Sequence, residues 1–198
     1  MRGAPLLLCA LAVASCRPPP LSLSAPATAD ADDYWRLHRH HTRRADVYDG
    51  VESRFFVAAT WLSPRFGATQ SAYRQREERL VGPDATSLPL VAADEVAFFV
   101  ALHTNEWGWN HLERTGSGGL FTTRLVTASG EALVPSQIER VGDDPRYETL
   151  YPDCREYFIG YVVRFASAGP RLRASDNHFT LRLSAFGRAA DLDWELAP

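Results

Sequence analysis

His178-Phe179-Thr180-Leu181-Arg182-Leu183-Ser184-Ala185 decides the fold of this chain, together with Ala190-Asp191-Leu192-Asp193-Trp194-Glu195-Leu196 shortly after it. In both stretches every second residue is apolar and its neighbours are mostly polar or charged. Side chains of a strand point alternately to opposite faces, so a period of two marks strands with one dry face and one wet face. Strands of that kind belong to antiparallel sheets.

Upstream the same reading continues. Tyr157, Ile159, Tyr161, Val163 and Phe165 alternate with Phe158, Gly160, Val162 and Arg164. Arg54 to Leu62 and Val96 to Leu102 are apolar on both faces, which predicts central strands buried on both sides. Leu120 to Thr127 and Ala132 to Val141 flank Ala128-Ser129-Gly130-Glu131 and read as a hairpin. Tyr34 to Asp49 reads as a short first strand or an arm packed on the sheet. One helix interrupts the series near 64–81. Ser63 suits the N-cap and Pro64 the first helical turn; Phe66, Tyr73, Glu77 and Leu80 fall near one face, and Gly82-Pro83 ends it. Seven or eight strands in runs, without strand–helix alternation, predict a mainly all-β chain: an antiparallel β-sandwich, immunoglobulin-like in architecture. The paired cysteines around a core Trp that mark true immunoglobulin domains are missing, so the likeness is one of architecture.

The first sixteen residues carry a different message. Arg2 is followed by an apolar run, Ala4 to Ala14, too short to span a bilayer, which needs about 20 residues. The run ends in Val13-Ala14-Ser15-Cys16, which resembles the lipobox of bacterial lipoprotein precursors. The resemblance implies a signal peptide over 1–15, a diacylglyceryl thioether on the Cys16 sulfur, and cleavage before Cys16. The membrane is then a partner through that lipid. Arg17, where inner-membrane retention favours Asp, implies the outer membrane and a cell-envelope location. Arg17 to Asp33, with Pro18-Pro19-Pro20, reads as a flexible tether, and 34–198 as a single domain.

About 180 of 198 residues remain after that cleavage, enough for one domain with a core. Net charge is −3, and −4 once Arg2 leaves; every one of the 21 basic residues is Arg. This is no nucleic-acid binder's balance. With Cys9 in the signal and Cys16 lipidated, Cys154 is the last thiol, so no intrachain disulfide can form.

No phosphate loop, dinucleotide fingerprint, zinc-protease motif or serine-hydrolase elbow is present in the sequence. No catalytic residue, cofactor or metal ligand is therefore assigned. Four features stand out. His103 to Gly119 is a long irregular stretch at a strand end. Its Glu106, Trp107, Trp109, Asn110 and His111 are candidate contacts for an envelope protein or a glycan, the alternative being that both Trp side chains cap the core. The same loop, through His103, Glu106 and His111, is where an envelope hydrolase would keep its machinery. His38 and His40 would share a face of an extended arm and could hold a divalent metal. Cys154 could pair with a distant His or simply fill space. The mixed charges Arg74, Arg76, Glu77, Glu78 and Arg79 read as the solvated face of the helix.

Overall fold

The computed structural model describes residues 21, 29–79, 88–142, 144–166, 168–175 and 178–196. Its strands form two antiparallel sheets. The first contains β1 (Thr42–Asp49), β2 (Glu52–Trp61), β3 (Val96–Thr104), β6 (Gln137–Arg140) and β7 (Ile159–Phe165), in the order β1-β2-β3-β7-β6. The second contains β4 (Thr122–Thr127), β5 (Ala132–Leu133), β8 (His178–Ala185) and β9 (Arg188–Glu195), in the order β5-β4-β8-β9. The chain is mostly β, as its patterning predicts.

The two sheets share one core. Phe55, Val57, Ala59 and Trp61 of β2 meet Phe179, Leu181 and Leu183 of β8 and Leu192 and Trp194 of β9 there, with the odd-numbered residues of β7. Trp61 and Phe179 pack edge to face at 5.1 Å, and Trp194 lies 5.1 Å from Phe98. Fully buried indoles need a partner for their N–H, and Trp194 Nε1 donates to the His41 carbonyl across the two sheets. The alternation of β8 and β9 is that of strands with one dry face.

β2 and β3 are buried on both faces because helices cover the outer side of the first sheet. α1 (Tyr34–His41), α2 (Pro64–Glu77) and α3 (Pro145–Leu150) enclose a second core with Ala58, Ala97, Phe99, Ala101 and Val162. Ser63 caps α2 by accepting from the Phe66 amide, and Pro64 opens it. Several polar atoms in this layer are paired. Gln70 Nε2 donates to the Tyr151 hydroxyl at 3.0 Å, Gln70 Oε1 accepts from the Leu88 amide, and Tyr34 donates to the Leu150 carbonyl at 2.6 Å. Leu80 and the Gly82-Pro83 stop lie outside the described residues.

Four expectations are corrected. Tyr34–His41 is a helix rather than an extended arm, with the strand following at Thr42. Three helices accompany the expected one: α1, α3 and α4 (Ala168–Ser175). The second limb of the expected hairpin divides: Ala132–Leu133 pairs with β4, but beyond Pro135 the chain crosses to the other sheet, where Gln137–Arg140 pairs with β7. Among its described residues the expected tether is held to the domain: Leu21 is buried in the main core with its amide donating to the Glu195 carbonyl at 2.8 Å, and Asp32 pairs with Arg76 of α2 at 2.6 Å. No helix among the described residues is long and apolar enough to cross a membrane.

Candidate functional site

Parity along the strands places the site. On β2 the odd-numbered residues from 55 to 61 face the shared core, so Phe56 faces outward with Ala58. On β3 the even-numbered residues are inward, which turns His103 outward with Phe99 and Ala101. On β7 Gly160 and Val162 are outward, and Phe158 continues that side just before the strand. Phe56 and His103 are direct cross-strand partners.

The result is a row of rings across the first sheet, beyond the end that the helices cover. Tyr48 meets Phe56 edge to face at 6.0 Å, Phe56 stacks on His103 at 5.8 Å, and His103 meets Phe158 at 5.5 Å and Tyr157 at 6.3 Å. His103 is oriented by its Nδ1, which donates to the Tyr157 carbonyl at 3.0 Å, so in the neutral ring Nε2 is an acceptor. Tyr48 is 49% exposed, Tyr157 61% and Trp107 62%. Monomeric domains seldom leave several large apolar side chains contiguous in water without a use for them.

Trp107 extends the row. It shares with Phe158 a small cleft of about 170 Å³, whose walls include Arg140, Tyr147, Cys154 and Glu156. Clefts that take a small organic ligand run to several hundred Å³. This one suits a single side chain.

The expected loop residues separate in role. Trp107 is exposed on a 3-10 turn that the Glu106 carbonyl helps to close, while the Glu106 side chain faces solvent. Trp109 is half-buried, its ring 4.8 Å from Phe186. His111 pairs with Glu113 at 3.1 Å, apart from His103, which holds Tyr157. Asn110 is not a surface contact: it is 1% exposed, donates from Nδ2 to the Leu102 carbonyl and accepts from the Tyr161 hydroxyl. The two Trp therefore predict different variants. Trp107→Ala should leave stability within about 0.5 kcal/mol of the parent, whereas Trp109→Ala should cost about 1–2 kcal/mol through the lost ring packing. Urea denaturation of the two single variants checks this, and equal costs would contradict the assignment.

The other features read differently in the fold. Coiling 34–41 into α1 sends His38 and His41 inward and leaves His40 half-buried, so His38 and His40 share no face as an extended arm would give them. Burial pushes the half-buried Cys154 thiol up to about 11, with Glu148 and Asp153 adding to the shift, so it is no thiolate nucleophile at neutral pH. Arg74 departs from the solvated-face reading: it is 2% exposed and pairs with Glu78.

Sequence reasoning also missed a hydroxyl–imidazole pair. Ser63 Oγ lies 2.9 Å from His41 Nε2, beside a cleft of about 420 Å³ between α2 and residues 89–95. His41 Nδ1 donates to the Leu37 carbonyl, so Nε2 of the neutral ring accepts from Ser63. Burial, however, pushes the imidazole down to about 3, far below the range of a useful general base at neutral pH. Ser63 Oγ is also occupied by the Phe66 amide. The pair fastens α1 to α2.

Comparison with protein-family models, with curated proteins and with solved structures finds no match for this chain.

Proposed function

We propose that this chain is a lipid-anchored, non-enzymatic binding module of the bacterial cell envelope. Cys16 carries the lipid, the anchor lies in the outer membrane, and an immunoglobulin-like sandwich offers its aromatic row to a protein partner. The observation that carries the reading is the row itself, Tyr48–Phe56–His103–Tyr157 with Trp107 at its end. Aromatic residues dominate the energetic centres of protein interfaces, where their large area comes at low conformational cost.

Ring packing favours a protein over a glycan. Sugars stack on open ring faces, whereas Phe56 and His103 stack on each other, within 21° of parallel. The cleft beside Trp107 fits one side chain of a partner.

Photo-crosslinking in living cells from a probe at Trp107 or Tyr157 tests the reading. A discrete protein adduct is expected, weakened at least about ten-fold when the other aromatic of the pair is replaced by Ala, which is a hot-spot-sized loss. A probe at Arg182, on the wet face of the second sheet, is the control. No adduct from either aromatic position, with the domain folded and Cys16 lipidated, overturns the protein partner. Glycan arrays with the purified domain would then decide for the other class.

A further inference from the structure

On the binding-module reading above, we infer that the cleft beside Trp107 receives a basic side chain, Lys or Arg, of the protein partner. The cleft lies at the open margin of the helix-covered layer. Phe158 and Gly160 reach it from the outward side of the first sheet, Val141 joins them by donating its amide to the Gly160 carbonyl, and Tyr147 enters from α3. Buried Gly160 sits at its base, where a Cβ would stand 3.1 Å from the Cys154 sulfur and 2.9 Å from the Phe99 ring. At about 170 Å³ the space takes one side chain and no larger ligand.

Its walls are aromatic and its charge is negative. Phe158 and Tyr147 spend ring contacts inside the fold, on His103 and Phe99. Trp107 is 62% exposed and has no ring partner among the described residues. An open indole face is the best aromatic site for a cation. Asp144, Glu148 and Glu156 line the same space, with Arg140 as the one basic residue. Arg146 engages Asp144 at 2.6 Å, but Glu148 and Glu156 are exposed and have no partner among the described residues. Arg140 does not offset them. It pairs in register with Tyr161, an inward residue, so its side chain leaves on the opposite face of the sheet. Arg155, next to Glu156 in the chain, does not line the cleft. The negative field reaches inside: burial first, then Glu148 and Asp153, hold the Cys154 thiol above its ordinary value. A guest carboxylate would be repelled here, and an apolar chain would gain the ring contact alone. A Lys or Arg gains both, at a half-open site where its head keeps part of its water.

The test is a fluorine NMR titration of the full-length chain, carrying fluorotryptophan, in nonionic maltoside micelles. The resonance lost in Trp107→Phe assigns Trp107. The probes are N-acetyl-lysine amide, N-acetyl-arginine amide, the neutral N-acetyl-norleucine amide, and tetramethylammonium. Both basic probes should shift the Trp107 signal saturably by about 20 mM, and norleucine should bind at least about five-fold more weakly. Glu148→Gln combined with Glu156→Gln should weaken the basic probes at least about three-fold, with the norleucine response and the urea midpoint unchanged. Norleucine binding as tightly as lysine, a Trp107 signal that no probe moves, or a double variant that binds lysine like the parent each overturns the basic guest. A shift with tetramethylammonium alone overturns it too, in favour of a quaternary headgroup. In living cells, an adduct from the Trp107 probe that is undiminished in the double variant overturns the basic guest and keeps the protein partner. No adduct from Trp107 or Tyr157 overturns the partner and the basic guest together.

Discussion

Lowering the pH from 7 to 4 is expected to remove on the order of 5 kcal/mol of stability, enough to unfold a domain of ordinary stability. The cause is two imidazoles enclosed in the helix-covered layer. Burial pushes His41 down from 6.5 to about 3, against the hydrogen bond to the Leu37 carbonyl and with help from His40, Arg65 and Arg43. Burial likewise pushes His38 down to about 4; Asp153 opposes the shift, and Arg44 and Arg39 add to it. Both groups bind a proton more weakly folded than unfolded. Their contribution is present above pH 6.5 and is lost as the pH falls through 6.5 toward 4 and 3. Each pH unit between the two values is worth about 1.4 kcal/mol per group. The residues are 0% and 2% exposed, so solvent offers the protonated forms little relief. Urea unfolding at pH 7, 5.5 and 4 should show the loss, with close to two protons taken up on unfolding at pH 5.5 and about 1.4 at pH 4, where His38 is already about half-protonated in the folded protein. His38→Leu should flatten part of the slope at little cost near neutrality, because His38 Nε2 has no hydrogen-bond partner among the described residues and Nδ1 has only a 3.5 Å contact with the Thr42 hydroxyl. A stability curve that stays flat from pH 7 to 4.5 would contradict the argument.

The same two histidines explain what the sequence conceals. Tyr34, Leu37, His38 and His41 are the buried residues of α1, and their spacing of three, four and seven is that of one helical face. Two of the four are read as polar, so the pattern fails to register as amphipathic. The central strands are legible because Arg54–Leu62 and Val96–Leu102 are apolar on both faces, and only a doubly covered strand needs that. β8 and β9 are legible for the opposite reason: half of their residues face water. Pro135 signals the break between β5 and β6, since an interior strand cannot spare the amide; the alternation around it does not reveal that the chain changes sheets. The aromatic row is a matter of pairing. Phe56 and His103 become neighbours only through the register of β2 against β3, and no local pattern encodes that. Trp107 is legible from its loop, while the cleft it shares with Phe158 is not.

Asn110→Ala is expected to cost about 2–4 kcal/mol and to disorder the 105–113 turn, although the residue sits in a surface loop beside an exposed Trp. Its side chain is a buried fastener. Nδ2 donates to the Leu102 carbonyl at 2.7 Å, and the Tyr161 hydroxyl donates to Asn110 through both the backbone carbonyl at 2.8 Å and Oδ1 at 3.0 Å. These bonds tie the turn to the central strand β3 and to its neighbour β7. Alanine leaves the Leu102 carbonyl without that donor in a dry place, and a buried polar group so abandoned costs about 1–3 kcal/mol; the void left by the amide adds to it. Burial pushes Tyr161 up to about 12, so its hydroxyl stays a donor at any pH at which the protein folds. Asn110→Asp should be worse than alanine. A carboxylate can still accept from Tyr161 but cannot donate to Leu102, and it must carry its charge at 1% exposure or take up a proton to avoid doing so. Partner capture through Trp107 should fall in both variants as a consequence of the loosened turn, in proportion to the loss of stability. Trp107→Ala should lose capture with stability intact. Denaturation and crosslinking measured on the same three proteins separate these outcomes, and an Asn110→Ala domain as stable as the parent would return Asn110 to the surface as a contact residue.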